Sequence, residues 1–266
     1  MAANSRAPSA ASTGARKRFG QHFLIDARIL DELVACISPR PDELLVEIGP
    51  GRGALTSRLL DKGAVIHAIE IDRDLVHALS IRFASEARLQ VHLGDALNFD
   101  FRQLATAPHK LRIVGNLPYN ISTPLLLRLL KLEDAVEEMC FMLQKEVAER
   151  LVATPSQADY GRLSVMTQAF CAASIAFEVP PTAFAPPPRV DSCVVVFRPH
   201  DAPKCGFEKL ESVVATAFAH RRKMLRHTLG RRFSAETLAA LHISTTDRPE
   251  NVTVAQYVAL ASRAGD

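Results

Sequence analysis

Asn116-Leu117-Pro118-Tyr119 combine residue types that could activate an aromatic amine. An adenine N6 is a poor nucleophile because its lone pair is delocalised into the ring. The Asn116 side-chain oxygen and the Leu117 carbonyl could each accept one N6 hydrogen, hold the amine pyramidal and turn its lone pair toward an electrophilic methyl. Pro118 restricts the backbone so that the carbonyl projects. Tyr119 offers a flat face to the base, and stacking of this kind is worth roughly 1–3 kcal/mol. The N6 proton becomes acidic only as the N–C bond forms, so no base is required at the transition state. Catalysis would then rest on positioning and electrostatics. Taken alone, the same residues equally describe a Pro-Tyr turn with an asparagine cap.

A second cluster of chemistry surrounds Val46-Glu47-Ile48-Gly49-Pro50-Gly51-Arg52-Gly53-Ala54. Glycines between a strand and a helix let the chain turn sharply and let a ligand approach backbone N–H groups at the positive helix end. Read as GxGxxA, the loop matches the dinucleotide fingerprint, and Glu70 lies where an acid can take the hydroxyls of an adenosine ribose. Glu47 places a carboxylate just before the loop, which suits a cationic amino group and would repel a pyrophosphate. Asp95, in Gly94-Asp95-Ala96, could accept an adenine amine, although alone it reads equally as a helix cap. Ribose hydroxyls, an adenine amine and an ammonium together describe S-adenosylmethionine better than a diphosphate. A nicotinamide-dependent oxidoreductase is the alternative from a different class, and it leaves the tetrapeptide without a purpose.

These groups need a frame that brings strand ends together. Leu44 to Gly49, Ala64 to Asp72, Leu89 to Asp95, Leu111 to Asn116 and Glu138 to Leu143 read as short buried strands, separated early on by helix-period segments such as Ala54 to Lys62 and Leu75 to Ala84. That alternation predicts an α/β fold with a doubly wound, Rossmann-like parallel sheet. Arg162 to Ala172 reads as a helix. Ser174 to Val179 and Ser192 to Arg198 read as an antiparallel pair closing the sheet edge, joined by the proline-rich stretch Pro180 to Pro188. Beyond Pro199 only helical spacing remains, over Leu210 to Leu229, Ala235 to Leu241 and Val254 to Ala261, with Asn251 or Thr253 as cap of the last. The expected division is a leader over 1–15, a methyltransferase domain over 16–198 and an all-helical RNA-binding domain over 199–266.

Composition sets the outer limits. With 266 residues, 48% hydrophobic and 23% charged, the chain can bury a core. No apolar run approaches the ~18 residues of a membrane span. Five scattered cysteines without CxxC spacing speak for a reducing compartment and against a structural zinc. The formal charge is +3, and all of that excess falls after residue 198, where Arg221, Arg222, Lys223, Arg226, Arg231 and Arg232 sit in an acid-free run with His220 and His227. Together with Arg16-Lys17-Arg18, such single-sign clusters predict contact with nucleic-acid phosphate. Residues 1–15 lack a hydrophobic segment of the secretory type. A cytoplasmic protein is expected, with organelle targeting by the leader as the minor alternative.

In order along the chain stand RFGQHFL (18–24), EIGPGRGALT, EIDRDL, GDAL, GNLPYNISTPLL, MLQKEVAERLVA, YGRLSVMTQ, PPTAFAPPPRVDS and HRRKMLRHTL. This set resembles the ribosomal RNA adenine dimethyltransferases, from about Lys17 to the C-terminal helices. The resemblance implies transfer of methyl groups from S-adenosylmethionine, without a metal, to N6 of two adjacent adenosines near the 3′ end of small-subunit rRNA, in an immature small ribosomal subunit, by a monomer and away from any membrane. By the same resemblance, His22 and Leu24 touch the cofactor, Gly49 lies under its methionine part, Glu70 on the ribose and Asp95 at the adenine. Asn116 to Tyr119 form the target-base motif, Asn116 also touching the cofactor, with Phe184 stacking on the other face of the base. Related enzymes that modify large-subunit rRNA share most of these motifs. LPYNISTPLL, AFAPPPRVDS and the HRRK segment look closer to the small-subunit group. A binding protein on the same fold without turnover is a further alternative, opposed by the intact acceptor and cofactor positions.

Overall fold

The computed structural model of the chain describes residues 21–105, 110–132, 134–200 and 205–264. The leader and the Arg16-Lys17-Arg18 patch lie outside the described residues. Strand β1 (Phe23–Leu24) and helix α1 (Ala27–Ile37) come first, followed by β2 (Leu44–Ile48), α2 (Ala54–Asp61), β3 (Val65–Glu70), α3 (Arg73–Arg82), β4 (Leu89–Leu93), β5 (Leu111–Asn116), α4 (Ser122–Leu129) and β6 (Val136–Gln144). The five strands from β2 to β6 are parallel and lie in the order β4-β3-β2-β5-β6. The order reverses between β2 and β5, and in open α/β sheets that reversal opens a crevice at the carboxyl ends of the strands.

The two strands bordering the reversal approach closely. At Gly115 of β5 a Cβ would collide with the Ile48 carbonyl oxygen of β2, so a side chain there would push the sheet apart where the loops diverge. Gly49, the first residue beyond β2, has φ +67°, which favours glycine and turns the chain out of the sheet.

After α5 (Lys145–Val152) and α6 (Arg162–Phe170) come β7 (Cys171–Val179), β8 (Phe184–Ala185) and β9 (Ser192–Pro199). Strand β9 lies between β6 and β7 and is antiparallel to both, so β7 forms the edge. The antiparallel pair expected there is present. Helix α6 stops two residues earlier than its periodicity predicts, because Cys171 and Ala172 already pair with Pro199 and Arg198.

The C-terminal part contains α7 (Phe207–Phe218), α8 (Ala235–Ala239) and α9 (Val254–Arg263). A continuous helix over Leu210 to Leu229 does not form: α7 ends at Phe218, and two short 3-10 turns follow at Leu225–His227 and Leu229–Arg231. Continuing the helix would place like charges such as Arg222 and Arg226 one turn apart. The backbone instead finds distant partners, Leu225 N–H donating to the Asp247 carbonyl at 2.8 Å and Arg226 N–H to that of Thr245 at 3.0 Å. Thr253, not Asn251, caps α9, its hydroxyl accepting from Gln256 N–H.

One apolar cluster joins the sheet to these helices, from Ile113, Phe141 and Phe197 through Phe170 of α6 to Val213 of α7 and Leu260 of α9. The other sheet face packs α1 and α2 through Leu33, Ile37 and Leu59. Among the described residues, no helix is long and apolar enough to cross a membrane.

Candidate active site

A cavity of about 480 Å³ opens at the carboxyl edge of the sheet, between the loops that follow β2, β3, β4 and β5. Its size suits a small organic ligand. His22, Leu24, Gly49, Glu70, Asp95, Asn116, Leu117 and Tyr119 all line it, together with Glu47. The tetrapeptide is held to the sheet after β5 ends, because Leu117 N–H donates to the Met142 carbonyl of β6 at 3.2 Å. Two further bonds close the turn into α4: Ile121 N–H donates to the Pro118 carbonyl, and the Ser122 hydroxyl to that of Tyr119, both at 3.1 Å.

The orientation of the Asn116 amide follows from its partner. Its Nδ2 donates to the His22 main-chain carbonyl at 2.9 Å, and since a carbonyl can only accept, Oδ1 is left as the acceptor. The same reasoning assigns the His22 tautomer: Nδ1 lies 2.8 Å from the Pro186 carbonyl and must carry the proton. The imidazole stacks on Tyr119, with ring centroids 5.5 Å apart and planes at 28°. The Tyr119 hydroxyl is 2.8 Å from Ser192 Oγ. Burial pushes the Tyr119 phenol above its ordinary range, so it stays neutral at physiological pH.

Three carboxylates border the glycine loop side. Glu70, 4% exposed, accepts from the N–H groups of Gly51 at 3.2 Å and Asp72 at 3.0 Å. Burial raises its pKa while these bonds oppose the shift. Glu47, 2% exposed, accepts from the Thr56 hydroxyl at 2.7 Å, and burial pushes it up to about 7, with the charge of Glu70 acting in the same direction. A buried carboxyl poised near neutrality would be ionised by an approaching ammonium, so Glu47 could hold the cationic end of S-adenosylmethionine. Asp95 accepts from Leu97 N–H at 2.9 Å and Asn98 Nδ2 at 3.0 Å, so it both shapes its turn and borders the cavity. The residues present fit that cofactor: a carboxylate at each of three strand ends and a loop that approaches closely through glycine. Among the described residues, no group of three or more His, Cys, Asp or Glu is arranged to hold a metal ion.

Strand β1 covers the loop. The Phe23 ring sits over Gly51, where a Cβ would lie 3.0 Å from it, and the Arg52 guanidinium lies 4.6 Å above that ring. Phe184 is placed differently from the other candidates. It pairs with Leu24 in the short β1–β8 ladder, is 3% exposed among core residues, and does not line the cavity.

Sequence reasoning passed over Ile71, which lines the cavity while 46% exposed and could offer an apolar face to a flat ring. Its signal was an apolar residue between two acids at a strand end. The anchoring by Pro186 and Ser192 had no sequence signal, because each meets its partner across the tertiary fold. Arg221 also differs from expectation as a phosphate contact: Nε is 2.7 Å from Glu250 Oε2 and Nη2 is 2.6 Å from the Ala158 carbonyl, so it ties loops of the fold together. Arg222, Lys223, Arg226, Arg231 and Arg232 are exposed.

The family model described as ribosomal RNA adenine dimethylase matches residues 13–265. The chain is 51% identical over 250 residues to the ribosomal RNA small subunit methyltransferase A of Alcanivorax borkumensis, covering 93% of this chain and 89% of that protein. It is 49% identical over 252 residues to its Pseudomonas aeruginosa namesake, with 94% of each covered. A dimethyladenosine transferase from Plasmodium falciparum superposes with a TM-score of 0.77 at 26% identity, over 90% of this chain and 96% of that one. The 23S rRNA methyltransferase ErmE does so with a TM-score of 0.69 at 25% identity, over 91% and 99%. Because the match runs through the glycine loop, the tetrapeptide and the C-terminal helices alike, the chain belongs to the ribosomal RNA adenine dimethylase family.

Proposed function

We propose that this chain transfers methyl groups from S-adenosylmethionine to N6 of two adjacent adenosines in a loop near the 3′ end of small-subunit rRNA, giving N6,N6-dimethyladenosine. The observation that carries this reading is the Asn116 amide, held with Nδ2 on the His22 carbonyl so that Oδ1 remains to accept from an amine at the cavity. The nicotinamide alternative has no counterpart in the family to which the chain belongs.

S-adenosylmethionine supplies an electrophilic methyl on sulfonium. Glu47, Glu70 and Asp95 bind its cationic and hydroxyl-bearing ends, and Gly49 lets the backbone lie against it. Leu24 and His22 cover it. The target adenine leaves its stack to enter, at a cost of a few kcal/mol that is smaller in a hairpin loop. Tyr119 offsets that cost by stacking, and Asn116 Oδ1 with the Leu117 carbonyl holds N6 pyramidal. Phe184, paired with Leu24 of β1, is the candidate for the other face of the base. After each transfer the N6 proton passes to water.

The exposed cations after α7 hold backbone phosphate, and residues 199–266 act as the RNA-binding part beside a methyltransferase part over 16–198. The substrate is the rRNA of an immature small subunit, the enzyme works as a monomer in the cytoplasm, and its action belongs to small-subunit biogenesis. Incubating unmodified small subunits with labelled S-adenosylmethionine, followed by nuclease digestion and mass analysis, tests the reading. Dimethyladenosine is expected, and label confined to other nucleosides would refute it.

A further inference from the structure

We infer that Ser192 is a positioning residue for the second of the two methyl transfers, acting through Tyr119; the inference rests on the function proposed above. Ser192 does not line the cavity and is completely buried. It opens β9, and its backbone is locked from both sides, opposite Gln144 of β6 and Val179 of β7. Its hydroxyl, 2.8 Å from that of Tyr119, is therefore a fixed point on the sheet. Tyr119 lies beyond the end of β5, where no strand pairing restrains it. One face of its ring is held by His22 and its far end by Ser192. Together these contacts set the plane against which the base stacks.

That plane matters unequally for the two steps. In the first transfer N6 carries two hydrogens, one for Asn116 Oδ1 and one for the Leu117 carbonyl, so hydrogen bonds alone define its orientation. An N6–C bond forms, the S–C bond breaks with its electron pair kept by sulfur, and one N6 proton leaves for water. The monomethylated amine returns with a single hydrogen, so one acceptor has lost its partner. Orientation of the base then falls more heavily on the stacking plane, and a loosely held Tyr119 ring costs the second transfer more than the first.

The test compares the full chain with Ser192→Ala, Tyr119→Phe and the double variant on unmodified small ribosomal subunits. N6-methyladenosine and N6,N6-dimethyladenosine are quantified at equal total methyl incorporation. Each single change is expected to raise the mono-to-dimethyl ratio roughly three- to tenfold, the worth of one hydrogen bond, and the double variant no further. A merely structural role for Ser192 would lower both products together and leave the ratio at matched incorporation unchanged. An unchanged ratio, or single effects that multiply in the double variant, would overturn the inference. Should Ser192→Ala fail to fold by thermal melting, Tyr119→Phe carries the test, since it removes the same bond and leaves the sheet intact. A parent chain that forms neither product would instead sink the proposed function, a result distinct from dimethylation with an unaltered ratio.

Discussion

The cavity edge and the basic segment after α7 treat their polar side chains in opposite ways. At the cavity, Asn116 is held by a main-chain carbonyl, Tyr119 by a buried hydroxyl, Glu70 by two backbone N–H groups and Asp95 by a backbone and a side-chain amide. In the basic segment Arg221 is comparably anchored, while Arg222, Lys223 and Arg226 are exposed. Methyl transfer depends on reacting atoms aligned to a fraction of an ångström, so the anchoring at the cavity edge suits the chemistry proposed for it. Phosphate attraction falls slowly with distance and tolerates mobile side chains, so the exposure of the basic segment is compatible with the RNA-binding role proposed for it.

The sharpest way to break this contrast is Asn116→Ala. It should lower both methylations by about 10³-fold, comparable with removing one preorganised transition-state contact. Cofactor affinity measured by titration calorimetry should stay within roughly tenfold. Near-normal turnover would remove Asn116 from the chemistry. Replacing Arg222, Lys223 and Arg226 together by alanine should act on the other region, weakening subunit binding about ten- to a hundredfold at low salt. The slope of log affinity against log salt should flatten by about one per lost phosphate contact. An unaltered slope would show that RNA lies elsewhere.

Glu47 sharpens the comparison through pH. Its folded value of about 7 stands above its ordinary 4.5, so the folded chain holds a proton that the unfolded chain has released between those values. Stability of the ligand-free protein should therefore fall as pH rises through that window and level off above it. Cofactor affinity should move the other way, rising up to about tenfold per unit toward pH 7, because the ionised carboxylate is the form that meets the ammonium. Glu47→Gln should flatten both profiles, and calorimetric titrations at pH 5.5, 6.5 and 7.5 check this. The smallest effect is expected from Arg221→Ala, with a loss of about 1–2 kcal/mol in urea unfolding and little change in the salt slope. A slope change equal to that of an exposed cation would place Arg221 on the RNA after all.

Much of the frame was legible because its signals are local. Apolar runs of strand length separated by helix-period segments placed β2, β3, β4, β5 and β6 to within a residue or two at most of their ends. The glycine loop and the tetrapeptide stood out because a sharp turn and a pyramidal amine each demand particular residues at adjacent positions. The helix read over Leu210 to Leu229 was misjudged, since its period ran on where backbone partners at Thr245 and Asp247 offered a better alternative than another helical turn. The Glu250 partner of Arg221 had no sequence signal for a related reason: charge density in the chain says nothing of a carboxylate that the fold brings to it.

Residue order and type were enough to name the strands, the turn at Gly49 and Asn116 and Leu117 as residues of the cavity edge, because each follows from steric or hydrogen-bonding needs met within a few neighbours. The direction of the Asn116 amide, the tether between Tyr119 and Ser192 and the seat of Phe184 behind β1 emerged from folding alone. Those contacts join residues 73 to 160 positions apart, and their geometry follows from strand order and register.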